Sequence, residues 1–273
     1  SLKRLSSVWM FCSYADLKTK HDIKFHLNIA LQKHLKKEGV TSLSLPLERK
    51  IKKRPVMLIP LERFGSNHAM YRCYAPSILQ LRERFELVGL VEKWRIDDQS
   101  EEVFDKIFYV DMSQESIKQL VSKISELEPD MIYYPSLGMS EWTLRIANLR
   151  LAPMQFMTLG HPATSKSPFI DYVIMEEILF SKQEDCFTEK VVLVDDREAS
   201  IHMAASKKSS TPPEVSQNPD LIKIVVTSAA MKLNASFMTV CKEIYDKSQR
   251  PIEFHFFPYK QGMIFQKIEK RIH

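Results

Sequence analysis

Four stretches of this chain hold side chains whose types and places could do chemistry. The first, Leu61-Glu62-Arg63-Phe64-Gly65-Ser66-Asn67-His68-Ala69-Met70-Tyr71-Arg72, follows an apolar run at Val56–Ile59. Open parallel sheets bind ligands at the carboxyl ends of their strands, which places His68 well. An imidazole near its ordinary pKa can accept a proton from an attacking group or hydrogen-bond a diphosphate, although a loop histidine can equally have no such task. The second, Gly160-His161-Pro162-Ala163-Thr164-Ser165, follows the run Gln155–Thr158. Gly160 permits a tight turn there, and Thr164 and Ser165 offer hydroxyls and amides to an anionic or hydroxylated ligand; most such turns only turn. The third, Tyr-Tyr-Pro-Ser-Leu-Gly-Met, puts Ser136, Gly138 and Met139 just past another strand end, where a plain strand-to-helix connection explains them nearly as well. The fourth is Lys232, between an apolar run and a helix, where backbone amides and the helix dipole favour phosphate. A lone lysine is more often a surface residue.

The elements that must position these groups follow from periodicity. Short apolar runs at Val56–Ile59, Leu87–Leu90, Ile107–Val110, Met131–Tyr134, Gln155–Thr158, Tyr172–Met175 and Val191–Val194 read as strands, most of them apolar throughout as strands buried on both faces are. They alternate with amphipathic helices, which argues for a parallel sheet of Rossmann-like type. Ile117, Leu120, Val121, Ile124 and Leu127 share one helical face, with Ser113 as the expected cap and Glu115 in the first turn. Trp142, Ile146 and Leu149 predict a shorter helix ending before Pro153, and Asp22–Glu38 a helix closed by Gly39. Asp171 reads as structural, closing a loop over nearby amides.

Composition shifts suggest boundaries: a helical lead-in and linker over 1–53, a Rossmann-like domain over 54–200, a Ser- and Pro-rich linker over 201–218, and the start of a second such domain over 219–273. That last part holds a strand at Ile222–Val226, a helix at Asn234–Ser248 and a strand at Ile252–Phe257. One strand, helix, strand unit buries too little apolar surface to offset the entropy of ordering it, so it is expected to lean on other residues or another molecule.

The 39 basic and 34 acidic residues give +5, spread rather than striped and without interleaved aromatics, which leaves nucleic-acid binding unsupported. No run approaches the ~18 apolar residues of a membrane span, and the first residues lack a signal-peptide core. A soluble protein of the cell interior is expected. Four scattered cysteines form neither a zinc ribbon nor a redox pair, and no metal is implied. Gly-x-Gly-x-x-Gly, Walker, His-Glu-x-x-His and Gly-x-Ser-x-Gly motifs are absent, which removes the usual support for dehydrogenase, NTPase, zinc protease and hydrolase readings.

Taken together, Tyr-Tyr-Pro-Ser-Leu-Gly-Met, Arg150-Leu151-Ala152-Pro153-Met154-Gln155, Leu159-Gly160-His161-Pro162-Ala163-Thr164-Ser165 and Phe169-Ile170-Asp171-Tyr172 form a signature. It resembles the N-terminal catalytic half of the bacterial cytoplasmic protein N-glycosyltransferases that modify high-molecular-weight adhesins, with the O-GlcNAc transferases as more distant relatives. The resemblance covers about residues 54–257 and is weaker in the lead-in, Phe11-Cys12-Ser13-Tyr14-Ala15. It implies an α/β glycosyltransferase B fold, with a helical lead-in and an incomplete second Rossmann-like domain. It also implies an inverting, metal-free and cofactor-free transfer of a hexose from a UDP donor such as UDP-glucose to asparagine in Asn-x-Ser/Thr of an adhesin-type protein, in the cytoplasm.

His68-Ala69-Met70-Tyr71-Arg72 is similar to a family element whose histidine faces the cleft, and Met231-Lys232-Leu233-Asn234 to one whose lysine contacts the donor diphosphate. The resemblance therefore implies catalytic roles for His68 and Lys232. Ser136, Gly138 and Met139 resemble the cleft loop near the acceptor, and Gly160, His161, Pro162, Thr164 and Ser165 would shape the cleft wall. Arg63 and Gly65 stand where those enzymes carry further histidines. The family's later Phe-Gly-Asn-like donor motif does not occur, so the chain is expected to be a fragment lacking most of the donor domain. The competing expectation is a catalytically inactive homologue that binds a partner.

Overall fold

The computed structural model describes residues 5–45, 52–177, 186–195 and 220–257. The expected linker over 201–218 lies outside the described residues. The chain divides into two compact units, Ser1–Met10 with His21–Ala205, and Phe11–Lys20 with Ser206–His273.

In chain order the helices are α1 (Leu5–Phe11), α2 (Ile23–Lys37), α3 (Ala69–Leu81), α4 (Asp98–Glu101), α5 (Ile117–Leu127), α6 (Glu141–Ile146) and α7 (Ala235–Lys247). The strands are β1 (Val56–Leu61), β2 (Glu86–Val91), β3 (Lys106–Tyr109), β4 (Met131–Tyr134), β5 (Met154–Met157), β6 (Tyr172–Glu176), β7 (Lys190–Val194), β8 (Ile222–Val226) and β9 (Ile252–Phe256).

In the first unit seven strands form one parallel sheet in the order β3-β2-β1-β4-β5-β6-β7. Alternating residues of the apolar strands feed two cores. Leu58, Val88, Leu90, Ile132 and Tyr134 pack with Leu31 and Leu35 of α2, Leu120 and Ile124 of α5, and Leu144 of α6. Met57, Ile59, Leu61, Leu87 and Tyr133 pack on the other face with Ile78 of α3 and with Phe104. Every residue of β1 is buried, as a central strand with helices on both faces requires. The lead-in helix α2 is thus part of this unit's core. At the β7 edge Val192 and Leu193 are exposed, since an edge strand has fewer neighbours than the continuous apolar run suggests.

One local expectation needs correcting. The cap of α5 is Ser116, which forms a reciprocal capping box with Gln119; Ser113 instead donates to Asp111 in the preceding turn. Helix α3, for which no expectation was stated, turns Met70, Ala75 and Ile78 with Tyr71, Tyr74 and Leu81 to the second core despite the internal Pro76.

In the second unit β8 and β9 pair in parallel and α7 connects them. Val226 and Leu233 form a small buried cluster, and Cys241 is buried, while Val240, Ile244 and Tyr245 of α7 are exposed. Among the described residues, no helix is long and apolar enough to cross a membrane.

Candidate functional site

The strand order reverses direction between β1 and β4, which opens a crevice at their carboxyl ends. Glu62, the first residue after β1, lies at this point and is only 1% exposed. Its carboxylate accepts hydrogen bonds from Ser136 Oγ (2.9 Å), the Gly138 amide (2.9 Å), the Ser140 amide (2.9 Å) and Thr143 Oγ1 (2.5 Å). One buried anion therefore fixes the loop that follows β4. A buried carboxylate is stable when its acceptor sites are filled by donors, as they are here.

Within that loop Gly138 has φ +130, a conformation L side chains rarely adopt, and Trp9 packs against it. Ser136 is buried with its hydroxyl on Glu62, and Met139 is partly buried against the second core. Gly160 lies so close to the same loop that a Cβ there would stand 2.4 Å from Pro135 O. Ser136, Gly138 and Gly160 thus converge on one crossing of backbone.

His68 caps the N-terminus of α3, its Nδ1 accepting from the Met70 amide at 3.2 Å. Partial burial, then the charges of Arg63, Arg72 and Arg95, hold its pKa below the ordinary histidine value. With Nδ1 used as an acceptor, the neutral ring carries its proton on Nε2. His68 is therefore arranged to donate a hydrogen bond.

The His68 loop is laced to the loop after β2, because Asp97 Oδ2 accepts from the Ser66 amide (2.7 Å) and hydroxyl (2.9 Å) while Asp97 Oδ1 accepts from the Ser100 amide. Burial would raise the Asp97 pKa, but hydrogen bonds from Ser100 and Ser66 outweigh it and hold the value at about 2. A hollow of about 450 Å³ opens here between Arg63, His68, Trp94, Arg95 and Asp97.

The turn after β5 is tied down inside the unit. Glu189 accepts from Thr164 Oγ1 and the Ser165 amide, both at 2.7 Å, and from Ser165 Oγ. Lys24 Nζ donates to Thr164 O at 2.9 Å and Asn28 Nδ2 to Ser165 O at 3.1 Å. Pro162 is exposed, whereas His161 is buried. Asp171 forms a two-pronged pair with Arg150 and accepts from the Gln155 amide, a structural closure.

Burial, followed by the charges of Lys24 and His21, lowers the His161 pKa to about 3. A histidine depressed in the folded state binds its proton more readily when unfolded, so its contribution to stability is present above pH ~6.5 and is lost as pH falls towards about 3. The expected slope is at most about 1.4 kcal/mol per pH unit in that window. Urea unfolding at pH 7, 6, 5 and 4 should show that slope, and His161→Asn should remove part of it; identical slopes in the two proteins would refute the assignment.

Lys232 lies in the second unit, exposed in the turn Ala230–Lys232 between β8 and α7. Its Nζ sits 5.8 Å from the centre of the Tyr14 ring. Asn234 caps α7 by accepting from the Phe237 amide at 2.9 Å, leaving this turn beside the helix N-terminus.

Comparison with known proteins gives the same direction. Over 252 residues, 91% of this chain and 40% of the relative, the sequence is 33% identical to a UDP-glucose:protein N-beta-glucosyltransferase of Actinobacillus pleuropneumoniae serotype 5b, and equally to that of serotype 7. Over nine-tenths of its length the chain is thus similar to protein N-beta-glucosyltransferases. The family model described as HMW1 domain 2 matches residues 1–35 of the chain. A Thermobaculum terrenum O-GlcNAc transferase mutant superposes with a TM-score of 0.68 over 97% of the chain and 50% of the transferase, at 12% identity, which bears on the fold alone. The chain spans about 40% of the length of the curated glycosyltransferases it matches.

Sequence reasoning missed Glu62, Asp97, the Trp94–Arg95 pair and Glu189. Glu62 and Asp97 did leave a signal, since each is a carboxylate soon after an apolar strand. Their partners lie up to 81 residues away, which no local pattern reveals.

Proposed function

We propose that this chain forms part of an inverting glycosyltransferase that moves a hexose from a UDP donor such as UDP-glucose to asparagine in Asn-x-Ser/Thr of an adhesin-type protein, in the cytoplasm and without a metal ion or cofactor. The observation that carries this reading is the 33% identity, over 91% of the chain, to a UDP-glucose:protein N-beta-glucosyltransferase. The hollow that holds His68 at the carboxyl end of β1, beside the switch point, supports it.

In this reading the asparagine amide nitrogen attacks the anomeric carbon, a C–N bond forms, and the C–O bond to UDP breaks with its electron pair leaving on the diphosphate. The amide gives up one proton, which passes to a phosphate oxygen of the departing UDP or to solvent. Lys232 places an ammonium beside a helix N-terminus, where charge on the departing diphosphate is stabilised. His68, neutral and donating from Nε2, orients a sugar hydroxyl or a phosphate oxygen. The turn from Gly160 through His161, Pro162 and Thr164 to Ser165 shapes the wall of the cleft.

The test is transfer of one hexose from UDP-glucose to an Asn-x-Thr peptide, read by mass spectrometry. Lys232→Ala should lower the rate roughly 100-fold, the scale for removing one group that stabilises developing charge. An unchanged rate would take Lys232 out of the mechanism, and no transfer by the folded wild-type protein would overturn the reading.

A further inference from the structure

We propose that a second hollow in the first unit, of about 700 Å³, seats the acceptor polypeptide where it flanks the modified residue and selects neutral or basic flanks over acidic ones. The proposal rests on the glycosyltransferase reading above and adds a subsite to it. The hollow lies at the carboxyl ends of β2 and β3 and beside the loop after β4, with Met112, Ile117 and Met139 among its apolar contacts. It shares Trp94 and Arg95 with the smaller hollow that holds His68, so a chain lying in one passes directly to the other.

The chemistry of the wall selects the occupant. Six buried side-chain nitrogen or oxygen atoms among the described residues have no hydrogen-bond partner, and three of them, Arg95 Nε, Trp142 Nε1 and Arg145 Nε, belong to residues of this wall. Trp142 is 4% exposed, and Arg95 Nε approaches Glu92 only to 3.8 Å. All three atoms are donors, and what they lack is acceptors. Peptide carbonyls supply acceptors at regular intervals. Trp94, 69% exposed with the Arg95 guanidinium stacked 3.4 Å from its ring centre, adds an amphipathic platform of the kind that anchors polypeptides.

Charge argues against the donor as occupant. The wall carries the carboxylates of Glu38, Glu92, Glu115 and Glu141. Against these four stand three cations, Arg95, Lys118 and Arg145; the two arginines are already paired with Glu92, Glu38 and Glu141, and Glu115 is paired with Lys123 from outside the wall at 2.6 Å. A nucleoside diphosphate or an acidic peptide would find Lys118 as the wall's one cation without an ion pair among the described residues.

The test is fluorescence anisotropy of a dye-labelled Asn-x-Thr peptide flanked either by lysines or by glutamates, titrated with the 273-residue wild-type protein, Trp94→Ala and Lys118→Glu. Lys118 is exposed in the first turn of α5, where an acidic residue suits the helix dipole, so that variant keeps the fold. The lysine-flanked peptide should bind wild type about tenfold more tightly than the glutamate-flanked one, Lys118→Glu should widen the ratio, and Trp94→Ala should weaken both peptides about tenfold. Equal affinities across the three proteins, or no binding of either peptide by folded wild type, would overturn the subsite. UDP-glucose binding, measured in parallel, separates the two readings: binding of donor without peptide refutes the subsite alone, and the stated peptide pattern without donor binding refutes the donor reading alone.

Discussion

Glu62→Gln is expected to destabilise the first unit by about 1.5–3 kcal/mol, the scale for losing hydrogen bonds to a charged group. The carboxylate is surrounded by four donors and has no room for a fifth hydrogen-bonding role. An amide in its place can keep an oxygen for the Gly138, Ser140 and Thr143 donors, but it turns its NH₂ group towards Ser136 and replaces charge-assisted hydrogen bonds with weaker neutral ones. Urea denaturation followed by tryptophan fluorescence measures the loss. Because Glu62 holds the loop of Ser136, Gly138 and Met139, peptide binding should weaken along with stability. A change below about 1 kcal/mol would show that the network is less tightly coupled than its geometry indicates.

Gly138→Ala should cost about 3 kcal/mol, from backbone strain together with steric overlap. The φ of +130 already disfavours any side chain. A Cβ would also stand 2.4 Å from Trp9 Cδ1 and 2.8 Å from Trp9 Nε1. Trp9 is 1% exposed and has no free space to retreat into. Gly65→Ala is the internal control: its Cβ would meet Asp97 Oδ2 at 3.4 Å, ordinary contact, and its stability should change by less than about 1 kcal/mol. Equal losses at the two positions would contradict the local account of Gly138.

Much of the architecture was legible because the sheet is buried on both faces. The strands Met131–Tyr134 and Ile222–Val226 coincide with the apolar runs, and the others differ by a residue or two at their ends. The switch-point position of His68 followed from the strand before it. Its use as the cap of α3 did not, because Pro76 inside that segment argues against a helix there. The α5 cap was misplaced by three residues, since Ser113 and Ser116 are both plausible caps and only the reciprocal bond to Gln119 distinguishes them. Thr164 and Ser165 carried hydroxyls that looked available to a ligand. Glu189, 25 residues after Thr164, engages both, an arrangement that exists only once β7 has aligned beside β6.

The hollow around Trp94 and Trp142 was equally hidden. Its walls come from the end of α2, the loops after β2, β3 and β4, and the first turns of α5 and α6. No stretch of sequence contains more than a fraction of it. Charge counting along the chain, which finds a spread excess of +5, also conceals that this surface carries more carboxylates than cations.

The most direct test of the central claim is a calorimetric titration of the 273-residue protein with UDP-glucose, with Lys232→Ala as the control. Saturable binding that is lost or weakened at least about tenfold in the variant is the expected result. A folded wild-type protein that gives no binding heat with UDP-glucose would contradict it.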